Sequence, residues 1–251
     1  MELELAGRRA AVAAGSAGLG LSSARALATE GADVVICGRD RARLDTATAD
    51  LAGLPGKVVG LVVDVSTPEG ATGFVEAATD AIGPLDILVP NAGGPPAGTF
   101  ASTPLDAYQP ALDLNLLSVV AMCKAAVPGM TERGWGRVVA ITSISVRQPI
   151  GTLILSNTAR AGATAFLKTL ALEVARQGVT VNSVQPGFHA TDRLLGLHGT
   201  DVDELGRQVP AGRVGDPDDF GAVVAFLCSE RANYITGAAV PVDGGAYRGL
   251  Q

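Results

Sequence analysis

Apolar and polar positions along the chain follow two rhythms. Short, continuously apolar runs rich in small and β-branched residues recur at 8–14 (RRAAVAA), 32–38 (ADVVICG), 57–65 (KVVGLVVDV), 85–93 (LDILVPNAG), 135–143 (WGRVVAITS), 179–187 (VTVNSVQPG) and 238–245 (AAVPVDGG). Their length and composition predict buried strands. Between them, helical spacing of apolar positions predicts helices over 19–31, 40–53, 67–83, 104–130, 156–177 and 216–229. Gly31 stops the first helix, Asp40 reads as the N-cap of the second, and Pro68 falls in the first turn of the third. Strands without a polar face, alternating with helices, imply a parallel sheet covered on both sides. The predicted fold class is α/β, one doubly wound Rossmann-type domain over residues 1–251, since no linker or composition break divides the chain. Such sheets bind ligands at the carboxyl ends of their strands, so the loops after 14, 38, 64, 90, 143 and 185 are where chemistry is sought.

Composition narrows the function classes. The 251 residues are 47% apolar, enough for a large core, and carry a net charge of −6. An acidic chain lacks the electrostatic footprint of a nucleic-acid or anionic-membrane binder. Cys37, Cys123 and Cys228 lie far apart inside apolar runs, with no CxxC pair and no Cys/His cluster. They read as buried thiols in a reducing compartment, and no metal site is expected. The start, MELELAGRRAAVAAG, has acids where a signal peptide carries cations. The apolar stretch LNLLSVVAMC, bounded by Asp113 and Lys124, is too short to span a bilayer. A cytoplasmic protein with a small-molecule substrate is the expectation.

The first predicted strand runs into AAGSAGLG (13–20) and then a helix. Glycines there permit a tight turn and let a phosphate approach the backbone at a helix N-terminus, whose free N–H groups favour an anion. Gly15, Ser16, Gly18, Leu19 and Gly20 are the candidate contacts; a tight turn without ligand is the alternative. The second strand ends ICGRD, with Gly38 where an NAD-binding carboxylate would stand and Arg39 after it. An arginine fork at Arg39 suits a ribose 2′-phosphate, which favours NADP(H) over NAD(H). Arg41 and Arg43 add positive field or face solvent.

These pieces, with others downstream, resemble the short-chain dehydrogenase/reductase family over nearly the whole chain, in particular its members similar to 3-oxoacyl-carrier-protein reductases. Residues 13–20 resemble the family's TGxxxGxG: Gly18 and Gly20 match its last two glycines, Ala14 falls at the first, and Gly15 lies one place later. Asp64-Val65 resembles the adenine-contacting pair and Asn91-Ala92-Gly93 the NAG motif, with Pro90 before it. Asn115 matches the helix asparagine that holds a proton-relay water. Pro186-Gly187 with Thr191 resembles the segment flanking the nicotinamide, and the tail from Arg213-Val214-Gly215 to Val242-Asp243-Gly244-Gly245 resembles the family's ending. The resemblance also implies a homotetramer, and the small and apolar residues Ala161, Ala163, Ala165, Phe166 and Leu170 fit helix packing between subunits or packing on the sheet.

The resemblance further implies a Ser-Tyr-Lys set, in which the serine binds the carbonyl oxygen, the tyrosine donates a proton, and the lysine lowers the tyrosine pKa and holds the nicotinamide ribose. The serine is Ser143. The tyrosine and lysine positions hold Ser156 and Arg160, and counting back from TLALE (169–173) gives the same two positions. A phenol ionises near pH 10 and an aliphatic hydroxyl is a far poorer acid. Arginine keeps its charge. Three readings follow. The chain reduces a carbonyl, with Ser143 and Ser156 bonding the oxygen, Arg160 supplying field or holding the ribose, and a water near Asn115 delivering the proton. It runs another reaction: halohydrin dehalogenases resemble this fold with arginine at the lysine position, but they keep the tyrosine and lose the glycine loop, the reverse of this chain. Or it binds nucleotide without turnover, as a scaffold or sensor. His189 is a further candidate acid, or a solvent-exposed loop residue; His198, Tyr108 and Tyr234 are weaker ones. Arg147 and Gln148 contact substrate or shape their loop. Residues 188–212 read as a mobile substrate lid.

Overall fold

The computed structural model, described over residues 2–198 and 201–250, carries seven parallel strands in one sheet. In chain order they are β1 (Arg9–Val12), β2 (Asp33–Gly38), β3 (Val58–Val62), β4 (Ile87–Val89), β5 (Gly136–Ile141), β6 (Val179–Pro186) and β7 (Ala239–Val242). Their spatial order is β3-β2-β1-β4-β5-β6-β7. The order reverses between β1 and β4, which opens a crevice at the carboxyl ends of those strands. Each predicted strand is present and shorter than its apolar run. The run at 85–93, for instance, pairs only over Ile87–Val89. Pro90 O still accepts from Ile141 N at 2.9 Å, and beyond it Asn91, Ala92 and Gly93 line the crevice.

The helices are α1 (Gly18–Thr29), α2 (Arg41–Asp50), α3 (Pro68–Ile82), α4 (Tyr108–Leu112), α5 (Ser118–Glu132), α6 (Ile154–Val174), α7 (Asp192–His198), α8 (Val202–Arg207) and α9 (Pro217–Cys228). One face of the sheet buries Leu27, Leu44, Phe220 and Val224 of α1, α2 and α9 against Val12, Ile36 and Val139. The other buries Phe74, Met122, Met130 and Leu167 of α3, α5 and α6 against Val35, Leu88 and Val138. Residues of the five central strands are therefore covered on both sides, which is why they alternate so little, while the edge strands β3 and β7 are only partly buried. Asp40 caps α2 as expected, its carboxylate accepting from Arg43 N at 3.0 Å. The three cysteines are free and buried, and burial pushes each thiol up to about 12.

The long helix expected at 104–130 is not uniform. A 3-10 turn (Leu105–Ala107) leads into α4, and a π-turn (Asp113–Leu117) joins α4 to α5. The extra residue of a π-turn shifts the face presented by everything before it. The ten-residue limit read from LNLLSVVAMC is also corrected: the continuous helical stretch Leu105–Glu132 is long and apolar enough, by length and composition, to cross a membrane. Here Met122, Cys123, Ala126, Val127 and Met130 of that stretch pack in the core against α3 and the sheet.

Candidate active site

The turn after β1 is shaped by backbone contacts that exclude side chains. A Cβ on Gly15 would lie 2.8 Å from Ile36, and one on Gly20 would lie 2.4 Å from Ala14 O and 2.8 Å from Asn91 Nδ2. Ala14, where the resemblance expected glycine, adopts φ 47°, a left-handed conformation that favours glycine. The N-cap of α1, Ala17, offers no side-chain bond to the first N–H groups, so they remain available to an anion. Asn91 ties this turn to the loop after β4, its Nδ2 donating to Ala14 O at 3.4 Å. The cradle fits the diphosphate of a dinucleotide.

A cleft of about 890 Å³ extends from this turn across the sheet edge. Of the residues expected to bind cofactor, Ser16, Gly18, Leu19, Gly20, Arg39, Asp64, Val65, Asn91, Ala92, Gly93, Arg160, Pro186, Gly187 and Thr191 line it; Gly15 lies beneath the turn instead. Arg39 is 75% exposed, with its guanidinium 3.9 Å from Asp64. Arg43, left open as field or solvent residue, also lines the cleft and lies 3.8 Å from Asp192.

At the other end, Ser143 follows β5 and its Oγ accepts from Ser145 N at 3.1 Å, holding the loop in a tight turn. Ser156 and Arg160 lie one turn apart on the inward face of α6, both buried, and both line the cleft with Ser143. Arg160 Nη1 donates to Ile141 O and Thr142 O, each at 3.0 Å, and Nη2 to Ala92 O at 3.3 Å. The guanidinium therefore staples the end of β5 to the loop after β4. Burial, then the nearby charge of Arg193, pushes the Arg160 pKa down to about 10, so it remains a cation at neutral pH. Asn115 lies in the π-turn below the cleft. Its Nδ2 donates to Gly93 O at 3.0 Å, while its buried Oδ1 has no partner.

Two expectations change. His189 is not a solvent-exposed loop residue: it is 5% exposed, lines the cleft, stands edge-on to Phe220 at 5.1 Å, and its Nδ1 lies 3.3 Å from Gly187 O. Burial lowers its pKa, so it is a neutral wall of the cleft. Arg147 shapes its loop, donating to Gln185 Oε1 at 2.7 Å and Ala239 O at 2.6 Å, whereas Gln148 lines the cleft. Neither Tyr108 nor Tyr234 lines it. The side chain of His198 lies outside the described residues, as do Gly199 and Thr200 of the expected lid. Sequence reasoning missed Arg193, whose Nη2 donates to Pro95 O at 2.9 Å across the cleft. A lone arginine in an irregular stretch reads as solvated charge, and no local signal marked it.

Comparison with known proteins is consistent along the chain. A family model described as Enoyl-(Acyl carrier protein) reductase matches residues 13–247. Dehydrogenase/reductase SDR family member 4 of Homo sapiens is 36% identical over 244 residues, covering 96% of this chain and 88% of that protein. A 3-oxoacyl-(acyl-carrier-protein) reductase of Vibrio cholerae is 36% identical over 250 residues, covering 98% of this chain and 99% of its own. L-sorbose reductase from Gluconobacter frateurii, solved with NADPH and L-sorbose, superposes with a TM-score of 0.92 at 33% identity over 100% of both chains. A 7α-hydroxysteroid dehydrogenase solved with NADH superposes with a TM-score of 0.92 at 26% identity, covering 100% of this chain and 98% of that one.

Proposed function

The chain belongs to the short-chain dehydrogenase/reductase family, and from that premise we propose that it is an NADP(H)-dependent reductase of a 3-oxoacyl or small-ketone carbonyl, working with Ser143, Ser156 and Arg160. The observation that carries this reading is one continuous cleft with the glycine cradle at one end and both serine hydroxyls at the other.

The cofactor is held by the cradle of Ser16, Gly18, Leu19 and Gly20, by Asp64-Val65 and Asn91-Ala92-Gly93 at the purine and ribose side, and by Pro186, Gly187 and Thr191 opposite. Arg39, exposed and fork-shaped, pairs with a 2′-phosphate, which makes NADP(H) the preferred form. When bound, the reduced nicotinamide supplies the hydride. Ser143 and Ser156 donate hydrogen bonds to the carbonyl oxygen and orient it. Arg160 stiffens the floor of the site and contributes a fixed positive potential where oxyanion charge grows. The proton comes from solvent relayed past Asn115, whose unpartnered Oδ1 can order a water. Phe188, Leu194 and Leu197, in the described part of the expected lid, line the cleft and would cover the substrate. The exposed side of α6, with Ala161, Ala165 and Leu172, is a subunit face of a homotetramer. Three buried free thiols suit the cytoplasm.

Fluorescence titration with NADPH and NADH, followed by NADPH oxidation over a panel of ketones and 3-oxoacyl thioesters, tests the reading. Tighter NADPH binding that Arg39→Ala abolishes, and turnover that Ser143→Ala abolishes, are expected. NADH bound as tightly as NADPH defeats the Arg39 assignment. NADPH binding without turnover on any panel member makes the chain a nucleotide-binding protein instead of a reductase.

A further inference from the structure

We propose that the substrate of this cleft carries a carboxylate, and that Arg193 is the residue that reads it. This deepens the reductase reading, on which it rests for the reacting end of the molecule.

The argument starts from how charge is distributed along the cleft. Three carboxylates line it, and each belongs to the nucleotide end. Asp40 caps α2, Asp64 faces Arg39, and Asp192 faces Arg43. The other charged lining residues, Arg160 and Arg193, form no ion pair among the described residues, and the neighbouring carboxylate of Asp192 faces Arg43 instead. The two arginines are close enough for Arg193 to disfavour the charge on Arg160. Arg193 is exposed, so solvent screens part of this repulsion, and a bound anion would relieve the remainder.

The two cations are not equivalent. Arg160 directs three N–H donors to Ile141, Thr142 and Ala92 carbonyls, so it supports the site from below. Arg193 makes a single bond, to Pro95 O at 2.9 Å, and leaves most of its five donors unused. Exposed as it is, Arg193 lies close against Gly94. A Cβ on Gly94 would lie 2.5 Å from Arg193 Nη2, so the guanidinium rests flat on a residue with no side chain. A planar fork held by its back and facing a cleft is suited to bidentate carboxylate recognition. The apolar lining residues Ile144, Ile150, Leu153, Leu194 and Leu197 surround this end, with Gln148 and His189 as polar members. The small side chain of Ser156 adds room beside them. The substrate class that fits is an oxo acid with a short apolar body, its carbonyl on the serines and its carboxylate on Arg193. The cofactor diphosphate is the other anion within reach, and the test separates the two.

The probes are acetoacetate and its neutral isostere acetoacetamide, titrated calorimetrically into the whole protein with and without saturating NADP+. The oxidised cofactor has no hydride to give a ketone, so binding is read without turnover. Acetoacetate is expected to bind the parent about tenfold or more tighter than the amide. Arg193→Ala should abolish that preference and Arg193→Lys should retain part of it, both melting like the parent and binding NADP+ as it does. Equal affinity for the two probes, or a preference that survives Arg193→Ala, overturns the proposal. Loss of NADP+ affinity in Arg193→Ala overturns it too, and assigns the fork to the diphosphate. If NADP+ fails to bind the parent at all, the reductase reading falls, while the probe pair on cofactor-free protein still decides whether this end of the cleft selects a carboxylate.

Discussion

Replacing Arg160 by methionine keeps most of the side-chain volume and removes the charge, which isolates what the guanidinium does. Its three bonds are to Ile141 O at 3.0 Å, Thr142 O at 3.0 Å and Ala92 O at 3.3 Å. A hydrogen bond from a charged donor contributes about 1.5–3 kcal/mol; with the longest at the low end, the three together contribute roughly 5 kcal/mol. Against this stands the burial of the cation. Its pKa is pushed down to about 10, a disfavouring of the charged form by roughly 3 kcal/mol, and methionine removes that penalty. The net loss is about 2 kcal/mol, or a fall in Tm of roughly 4–8 °C for a chain of this size. The sign with pH is also fixed. For a base whose folded pKa lies below its unfolded one, the penalty is constant while both states are protonated, and it is relieved only as pH rises above about 10. The difference between parent and variant should therefore be flat through neutral pH. Thermal melts followed by far-UV circular dichroism and by the single tryptophan, Trp135, at one fixed protein concentration, give the stability. NADPH titration gives the second readout: freeing Ala92 loosens the loop after β4 and weakens binding by about tenfold, the scale set by one lost charged bond. A variant that melts with or above the parent and binds NADPH equally well would refute the staple.

Other perturbations address single contacts. Ala14→Gly relieves a left-handed alanine at φ 47° and should stabilise the fold by about 0.5–1 kcal/mol, read as a higher urea midpoint at unchanged slope; a lower midpoint would mean the turn is not strained. Glu230 accepts from Trp135 Nε1 at 2.5 Å and from Arg137, which is 2% exposed. Glu230→Gln leaves that buried cation without its carboxylate and, discounted for the partial exposure of Glu230, should cost about 1–2 kcal/mol in the same assay; no change would make the pair ornamental. His189 is held neutral by burial, so its folded pKa lies below the ordinary 6.5, and stability is lost as pH falls below that value. His189→Phe should flatten this acid limb, and an unchanged limb would assign it elsewhere. On a neutral ketone the parent's kcat should vary little from about pH 7 to 9, because neither lining hydroxyl nor Arg160 titrates there; a bell-shaped profile inside that window would demand an acid not assigned above.

Much of the fold was legible because its signals are local. Strands buried on both faces must be apolar throughout, and caps such as Asp40 require particular residue types at particular places. The strand ends were overestimated for a physical reason. At 91–93 the run continues past the last bond to β5, which Pro90 O accepts, because these residues line a cleft, where Asn91 bonds to the first turn and Gly93 O to Asn115. The π-turn at Asp113–Leu117 left no trace, since a shift of backbone hydrogen bonds by one residue does not alter apolar spacing enough to see. The cradle glycines were visible because close backbone approach forbids a side chain. His189 was visible as a site candidate but its burial against Phe220 was not, and Arg193 was not visible at all, because their surroundings come from α9 and from the loop after β4, far away in the sequence.

Ser156 and Arg160 are best understood as one change. In the Ser-Tyr-Lys arrangement that the family resemblance implies, a compact ammonium serves a phenol whose ionisation it adjusts. Once the phenol is replaced by an aliphatic hydroxyl, no group at that position titrates in the working range, and a mobile point charge has nothing there to tune. A guanidinium suits the altered site better: its planar fork satisfies several carbonyl acceptors at once, which a single ammonium nitrogen meets less well from the same helix position. In this chain the fork does so, bonding Ile141, Thr142 and Ala92. The cation at this position is therefore a staple between the end of β5 and the loop after β4, and on the proposed reading it would add a fixed potential near the two serine hydroxyls. On the proposed reading, such a site would orient and polarise a carbonyl without itself supplying the proton, so a water at the unpartnered Oδ1 of Asn115 would have to deliver it and the fork of Arg193 would set the choice of substrate.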